Sequence, residues 1–243
     1  MTLACAAIEP PALGAHDVHV WSALLPDERL PANEAAQDLS ADEQARAGRF
    51  KFPLDARRYR TARALLRRVL ARYLNCASRE LEFGYLERGK PFLRGAGDLQ
   101  FNSSHSGEAV LIGVTRARDI GVDVERIRRD IEAQQIAVHF FSSAERAALA
   151  QVPEAQQHLA FFRCWTRKEA FLKATAEGLS RALDTFDVTL TPGEPAHLLA
   201  TRPDPLEARG WVFMEPIVNE DYAAAIITQG GADTLRYWAG RLD

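Results

Sequence analysis

Two short stretches, forty residues apart, constrain this chain more than anything else in it: Gly121-Val122-Asp123-Val124-Glu125 and Trp165-Thr166-Arg167-Lys168-Glu169-Ala170-Phe171-Leu172-Lys173. The first alternates apolar and acidic residues, which is the period of a strand. Asp123 and Glu125 then leave the same face, roughly 7 Å apart along the chain. The second has helical spacing. At about 100° per residue, Phe161, Phe162, Trp165 and Leu172 define one apolar arc, with Glu169 inside it and Lys173 at its rim. A carboxylate so placed points inward, where an isolated charge is costly unless it is paired or bound to a cation. Three carboxylates and two lysines on two regular elements suit the holding of a hard metal ion against a phosphate ester. The plainer use of these residues is a solvated strand face and an i,i+4 surface pair. Their combination, and what surrounds them, weighs against it.

The surroundings are Gly89-Lys90-Pro91, Phe101-Asn102-Ser103-Ser104-His105-Ser106 and Phe140-Phe141-Ser142-Ser143-Ala144-Glu145. With these in view the chain resembles the Sfp-type 4′-phosphopantetheinyl transferases. A GKP turn, an F-N-x-S-H-S strand end, G-V-D-V-E, F-F-S-x-x-E and W-x-x-K-E-A-x-x-K follow one another in the family's order, over about residues 40 to 190. Ser103 stands where many relatives carry an apolar residue.

Composition bounds the chemistry without choosing it. The 243 residues are 47% hydrophobic and 26% charged, as in a soluble globular protein, and suffice for one large domain or two small ones. No apolar run approaches the roughly 20 residues of a membrane span. The start, Met1-Thr2-Leu3-Ala4-Cys5, lacks the basic region of a signal peptide, and Cys5, Cys76 and Cys164 have no metal-ligand spacing. Reduced thiols in a cytoplasmic protein are the expectation. Net charge is −3, yet Arg46 to Arg72 holds ten of the thirty cations and one acid, Asp55. Nucleic-acid binding is one use of such a block. The acidic remainder of the chain and the lack of a reading motif argue against it. A solvated helix face and an anion site for a small polyphosphate are the other two uses.

The pattern along the chain divides into similar halves. A strand over Val18–Leu25, a capping box at Ser40-Ala41-Asp42-Glu43, a long helix carrying Tyr59, Leu66 and Tyr73, and strands near residues 81–85, 99–103 and 109–115 make the first. The polar break Arg116-Ala117-Arg118-Asp119 ends it. The second has the Ile120 strand, helices near 131–139, 142–150 and 155–176, and strands near 185–190, 211–216, 222–228 and 234–239. The stretch from Pro192 to Pro205 reads as an exposed loop. Each half is a long helix with a mainly antiparallel sheet, an α+β arrangement. The resemblance implies a pseudo-dimer of two such subdomains: residues 1–118 with the coenzyme A phosphate contacts, and 119–243 with the metal-binding carboxylates.

The same resemblance implies the reaction. Phosphopantetheine moves from coenzyme A to a serine of an apo acyl or peptidyl carrier protein, releasing adenosine 3′,5′-bisphosphate, with Mg²⁺ (or Mn²⁺) as cofactor. Asp123, Glu125 and Glu169 are the implied metal ligands. Glu169 is also the implied base for the incoming serine, and Lys173 neutralises the pyrophosphate. Coenzyme A contacts fall on Arg58, Arg63, Lys90, Pro91, Ser104, His105 and Lys173. Lys168 is a further candidate for phosphate. Glu145 is either a neighbour of the metal or only the backbone partner in a second capping box. With both halves in one chain, a monomer is implied. Three other readings stay open: a metal-dependent phosphodiesterase using the same carboxylates, a non-catalytic coenzyme A- or carrier-binding module, and, last, a nucleic-acid binder.

Overall fold

The computed structural model describes residues 12–25, 32–232 and 234–239. The first half runs β1 (Asp17–Leu24), α1 (Ala32–Asp38), α2 (Ala41–Ala47), α3 (Pro53–Leu74), β2 (Phe83–Tyr85), β3 (Pro91–Leu93), β4 (Leu99–Ser106) and β5 (Ala109–Arg116). The second runs β6 (Ile120–Arg126), α4 (Ala133–Phe140), α5 (Ser143–Gln151), α6 (Glu154–Thr175), β7 (Phe186–Val188), β8 (Leu198–Thr201), β9 (Trp211–Met214) and β10 (Tyr222–Gln229). A last strand, β11 (Thr234–Ala239), follows.

Local chemistry sets these boundaries. The Ser40 hydroxyl accepts the Glu43 N–H, and the Glu43 carboxylate accepts the Ser40 N–H at 2.9 Å, closing the predicted capping box on α2. Pro53 opens α3 where its missing N–H costs nothing, and Asn75 ends it in the left-handed conformation at φ 49°.

The halves share one topology. In the first the strand order is β1-β5-β4, and in the second β6-β10-β9, every pair antiparallel. Alternation gives each sheet two apolar faces. Trp21, Ile112 and Phe101 pack under Leu66, Val69 and Leu70 of α3, while Ala223, Ala225 and Ile227 pack under Phe161, Phe171 and their neighbours on α6. The opposite faces meet each other: Val18, Val20 and Leu111 against Ile120, Val122, Val124 and Ile226. The result is helix, sheet, sheet, helix. This is the predicted α+β fold of two similar halves.

Four elements depart from the sequence reading: α1, for which it offered no helix, and three strands. β8 lies inside the stretch predicted to be a loop, paired with β7. β3, missed for its shortness, pairs with β2 around the Gly89 turn. β11 falls after residue 119 but does not stay in the second half. It runs parallel to β1 at the edge of the first sheet, and Trp238 stacks on Trp21 with ring centroids 4.5 Å apart.

Part of the Arg block is spent on the fold. Arg67 is buried and bonds Glu43 at 2.6 Å, the Ser78 carbonyl at 2.8 Å and the Leu81 carbonyl at 3.1 Å, and Arg68 pairs with Asp38 at 2.8 Å. Cys76 is exposed and Cys164 buried, both as free thiols; Cys5 lies outside the described residues. Among the described residues no helix is long and apolar enough to cross a membrane.

Candidate active site

The site is built where α6 crosses β6. A Cβ on Gly121 would lie 1.9 Å from the Ala170 carbonyl oxygen and 2.6 Å from the Ala174 nitrogen. Only glycine admits helix backbone this close to the strand. Ile120, Val122 and Val124 face the core between the sheets, so period two turns Gly121, Asp123 and Glu125 toward the helix. Residues one turn apart on α6, Glu169 and Lys173, then lie over Asp123. The Lys173 ammonium donates to Asp123 Oδ1 at 2.6 Å, and the Ser104 hydroxyl donates to the same oxygen at 2.8 Å. Asp123 is 2% exposed, and its other oxygen, Oδ2, is buried with no hydrogen-bond partner. A buried carboxylate oxygen without a donor is costly, and a cation would relieve it.

Electrostatics say the same of its neighbours. Burial raises the Glu169 pKa above its ordinary value of 4.5; the Asp123 charge adds to this, and Lys173 opposes it. Burial likewise raises Glu125, offset by the hydroxyl of Ser106, which donates to it at 2.6 Å, and reinforced by Asp123. The Asp123 charge opposes ionisation of both Glu125 and Glu169, and the three carboxylates offer oxygen only, a donor set that fits a hard divalent cation. Among the described residues no three His, Cys, Asp or Glu side chains stand in the arrangement that grips a metal; Lys173 rests on Asp123.

The coenzyme A candidates fall into separate places. Lys90, Pro91, Glu169 and Lys173 share one open cavity of about 260 Å³ with Ser103, Leu172 and Gly178. Lys90 is tied to its wall, donating to the Ala174 carbonyl at 2.8 Å and the Ile120 carbonyl at 3.4 Å, and burial lowers its pKa. His105 and Arg58 line a second, narrower recess beside Thr61 and Gly107. His105 is exposed at its rim, and its pKa is depressed first by the surrounding protein, then by the Lys173 and Arg46 charges. Ser104 is turned from His105 by strand alternation and faces Asp123. Arg63 stands apart from both. It is ion-paired with Glu43 and lies over the Phe83 ring, 4.1 Å from its centroid.

Two undecided residues are settled by contact. Glu145 accepts the Ser142 N–H at 2.9 Å in the capping box of α5, accepts the Val188 N–H at 2.9 Å and pairs with Lys168 at 2.8 Å. Lys168 is fully buried and also donates to the Leu183 and Phe186 carbonyls. This pair braces α6 on the side away from Asp123. The reading missed Asn102 and Ser106 as site neighbours. Their signal was the period of F-N-S-S-H-S, whose even positions all meet β6.

A family model described as the 4′-phosphopantetheinyl transferase superfamily matches residues 119–227, and one for the 4′-phosphopantetheinyl transferase N-terminal part matches residues 28–116. The chain is 36% identical over 228 residues to the 4′-phosphopantetheinyl transferase HetI of Nostoc, covering 91% of this chain and 92% of that one. It is 34% identical to a putative 4′-phosphopantetheinyl transferase of Synechocystis over 85% of each chain. To the 4′-phosphopantetheinyl transferase Sfp of Bacillus subtilis it is 32% identical, over 63% of this chain and 66% of that one. On the two family models and the near full-length match to HetI, the chain belongs to the 4′-phosphopantetheinyl transferase superfamily and is an enzyme of that class.

Proposed function

We propose that this enzyme transfers 4′-phosphopantetheine from coenzyme A to a serine of an apo acyl or peptidyl carrier protein, with Mg²⁺ bound, and releases adenosine 3′,5′-bisphosphate. The observation that carries the proposal is the convergence of Asp123, Glu169 and Lys173 at the β6–α6 crossing, where Glu169 and Lys173 line one cavity with Lys90 and Pro91. In this reading the serine oxygen attacks the phosphorus that bears pantetheine. The bond to the bridging pyrophosphate oxygen breaks, and its electron pair leaves on the bisphosphate. The serine proton passes to Glu169, directly or through water, and the raised proton affinity of that carboxylate suits the role. Lys173, with its side chain 31% exposed, offsets charge on the pyrophosphate.

Asp123, Glu125 and Glu169 are the residues that would hold Mg²⁺, or Mn²⁺ in its place. When bound, the ion supplies Lewis-acid and template chemistry to the pyrophosphate oxygens. Residues 1–118 would furnish most coenzyme A contacts, through Arg58, Lys90, Pro91, Ser104 and His105. Arg63 joins them only by giving up part of its pairing with Glu43. Residues 119–243 would furnish the carboxylates and Lys173. A cytoplasmic monomer is the state in which both sets already sit on one chain.

The test is intact-protein mass spectrometry of an apo carrier protein incubated with the enzyme, coenzyme A and Mg²⁺. A phosphopantetheine-sized gain, lost with EDTA and with Glu169→Ala, is the expected result. No gain on acyl and peptidyl carriers alike, with coenzyme A hydrolysed instead, would overturn the proposal.

A further inference from the structure

We infer that Ser106 is a positioning residue for Glu125: its hydroxyl fixes the carboxylate and so sets metal affinity, leaving coenzyme A binding untouched. The inference rests on the assignment of Glu125 to the metal under the proposed function.

It starts from the edge of a sheet. β6 pairs with β10 on one side only, so the N–H groups on its other side need acceptors. Side chains of β4 supply two. Asn102 Oδ1 accepts the Val122 N–H at 2.9 Å, and Ser106 Oγ accepts the Arg126 N–H at 3.1 Å. Residues 102, 104 and 106 share one face of β4 and repeat at roughly 7 Å, the repeat of β6 itself. The two strands therefore run in step, joined by side chains in place of a backbone ladder.

Ser106 differs from the other rungs. A hydroxyl has one proton, and that of Ser106 goes to Glu125 Oε2 at 2.6 Å, while a lone pair takes the Arg126 N–H. Glu125 is thereby tied to the backbone of its own strand, one residue on. Asp123 is held by both Ser104 and Lys173, whereas among the described residues the hydrogen bond to the Glu125 carboxylate comes from Ser106. An outer hydrogen bond of this kind is worth roughly 10- to 100-fold in metal affinity. Alternation places Ser106 on the face opposite His105, so its loss leaves the recess with Arg58 intact.

The test reads free Mn²⁺ by electron paramagnetic resonance while metal is titrated into enzyme with coenzyme A, for wild type, Ser106→Ala and Ser106→Thr. Ser106→Ala should weaken Mn²⁺ binding roughly 10-fold or more. The Mg²⁺ concentration for half-maximal carrier loading should shift by the same factor, with the KM for coenzyme A at saturating Mg²⁺ unchanged. Ser106→Thr, which keeps the hydroxyl, should stay near wild type. In a Glu125→Ala background Ser106→Ala should add nothing. Unchanged Mn²⁺ affinity in folded Ser106→Ala overturns the inference, as does a raised KM for coenzyme A without a metal shift. Ser106→Cys serves in its place if the alanine variant does not fold. Wild type that loads carriers but binds no Mn²⁺ overturns both the metal assignment and this inference, leaving the transferase standing; wild type that loads none overturns the proposed function.

Discussion

Glu169 is set against itself: the burial that raises its proton affinity, as its proposed role as a base requires, also makes its ionised form a burden on the fold. In the unfolded chain it ionises near 4.5, in the folded chain higher, so its favourable contribution is full below 4.5 and lost as pH rises through the folded value. Glu169→Gln should therefore raise Tm at neutral pH by about 1–3 °C in metal-free protein while cutting carrier loading roughly 100-fold or more. A scanning calorimeter and the mass assay read the two halves of that prediction. His19 titrates with the opposite sense. Fully buried against Tyr73, 2.8 Å away, its pKa falls from 6.5 to about 4, burial being the main cause. Its contribution is full above pH 6.5 and lost as pH falls toward 4, on the order of 3 kcal/mol. Urea midpoints across that range should drop more in wild type than in His19→Gln. The inward turn of Glu169 was legible, because helical phase alone puts it in the apolar arc. The pairing of Arg63 was not: its competitor, Glu43, sits on a different helix, and nothing in the phase of α3 reveals it.

At the scale of elements, the crossing of α6 on β6 depends on one missing methyl. Gly121→Ala should cost about 3 kcal/mol and most of the activity, since the helix must lift and carry Glu169 and Lys173 off Asp123. Gly210→Ala, whose Cβ would meet nothing within 4 Å, is the control and should leave the urea midpoint within error. The far side of α6 hangs on Lys168. Lys168→Met should cost about 3–5 kcal/mol by stranding Glu145 in the core, with loss of stability preceding any effect on metal affinity. Elements with a cap or a sustained period were readable, α2 by the first and α6 by the second. β3 and β8 were not, being three and four residues long, too short for an alternation to show.

At the scale of the molecule, the repeated strand order was legible only as two similar runs of elements. The path of β11 was not legible at all, for a strand's own pattern does not say which distant edge it will join. The two frames are alike, but their equipment differs. Under α6, β6 presents Asp123; under α3, β1 presents Trp21, stacked on Trp238 in an apolar layer. The first frame has been filled with aromatic rings, joined through the Tyr73 hydroxyl, where the second keeps charge. Binding stoichiometry follows from that asymmetry. A chain that contains two copies of the scaffold should titrate with one equivalent of divalent metal and one of coenzyme A, where two identical half-length subunits would offer two of each.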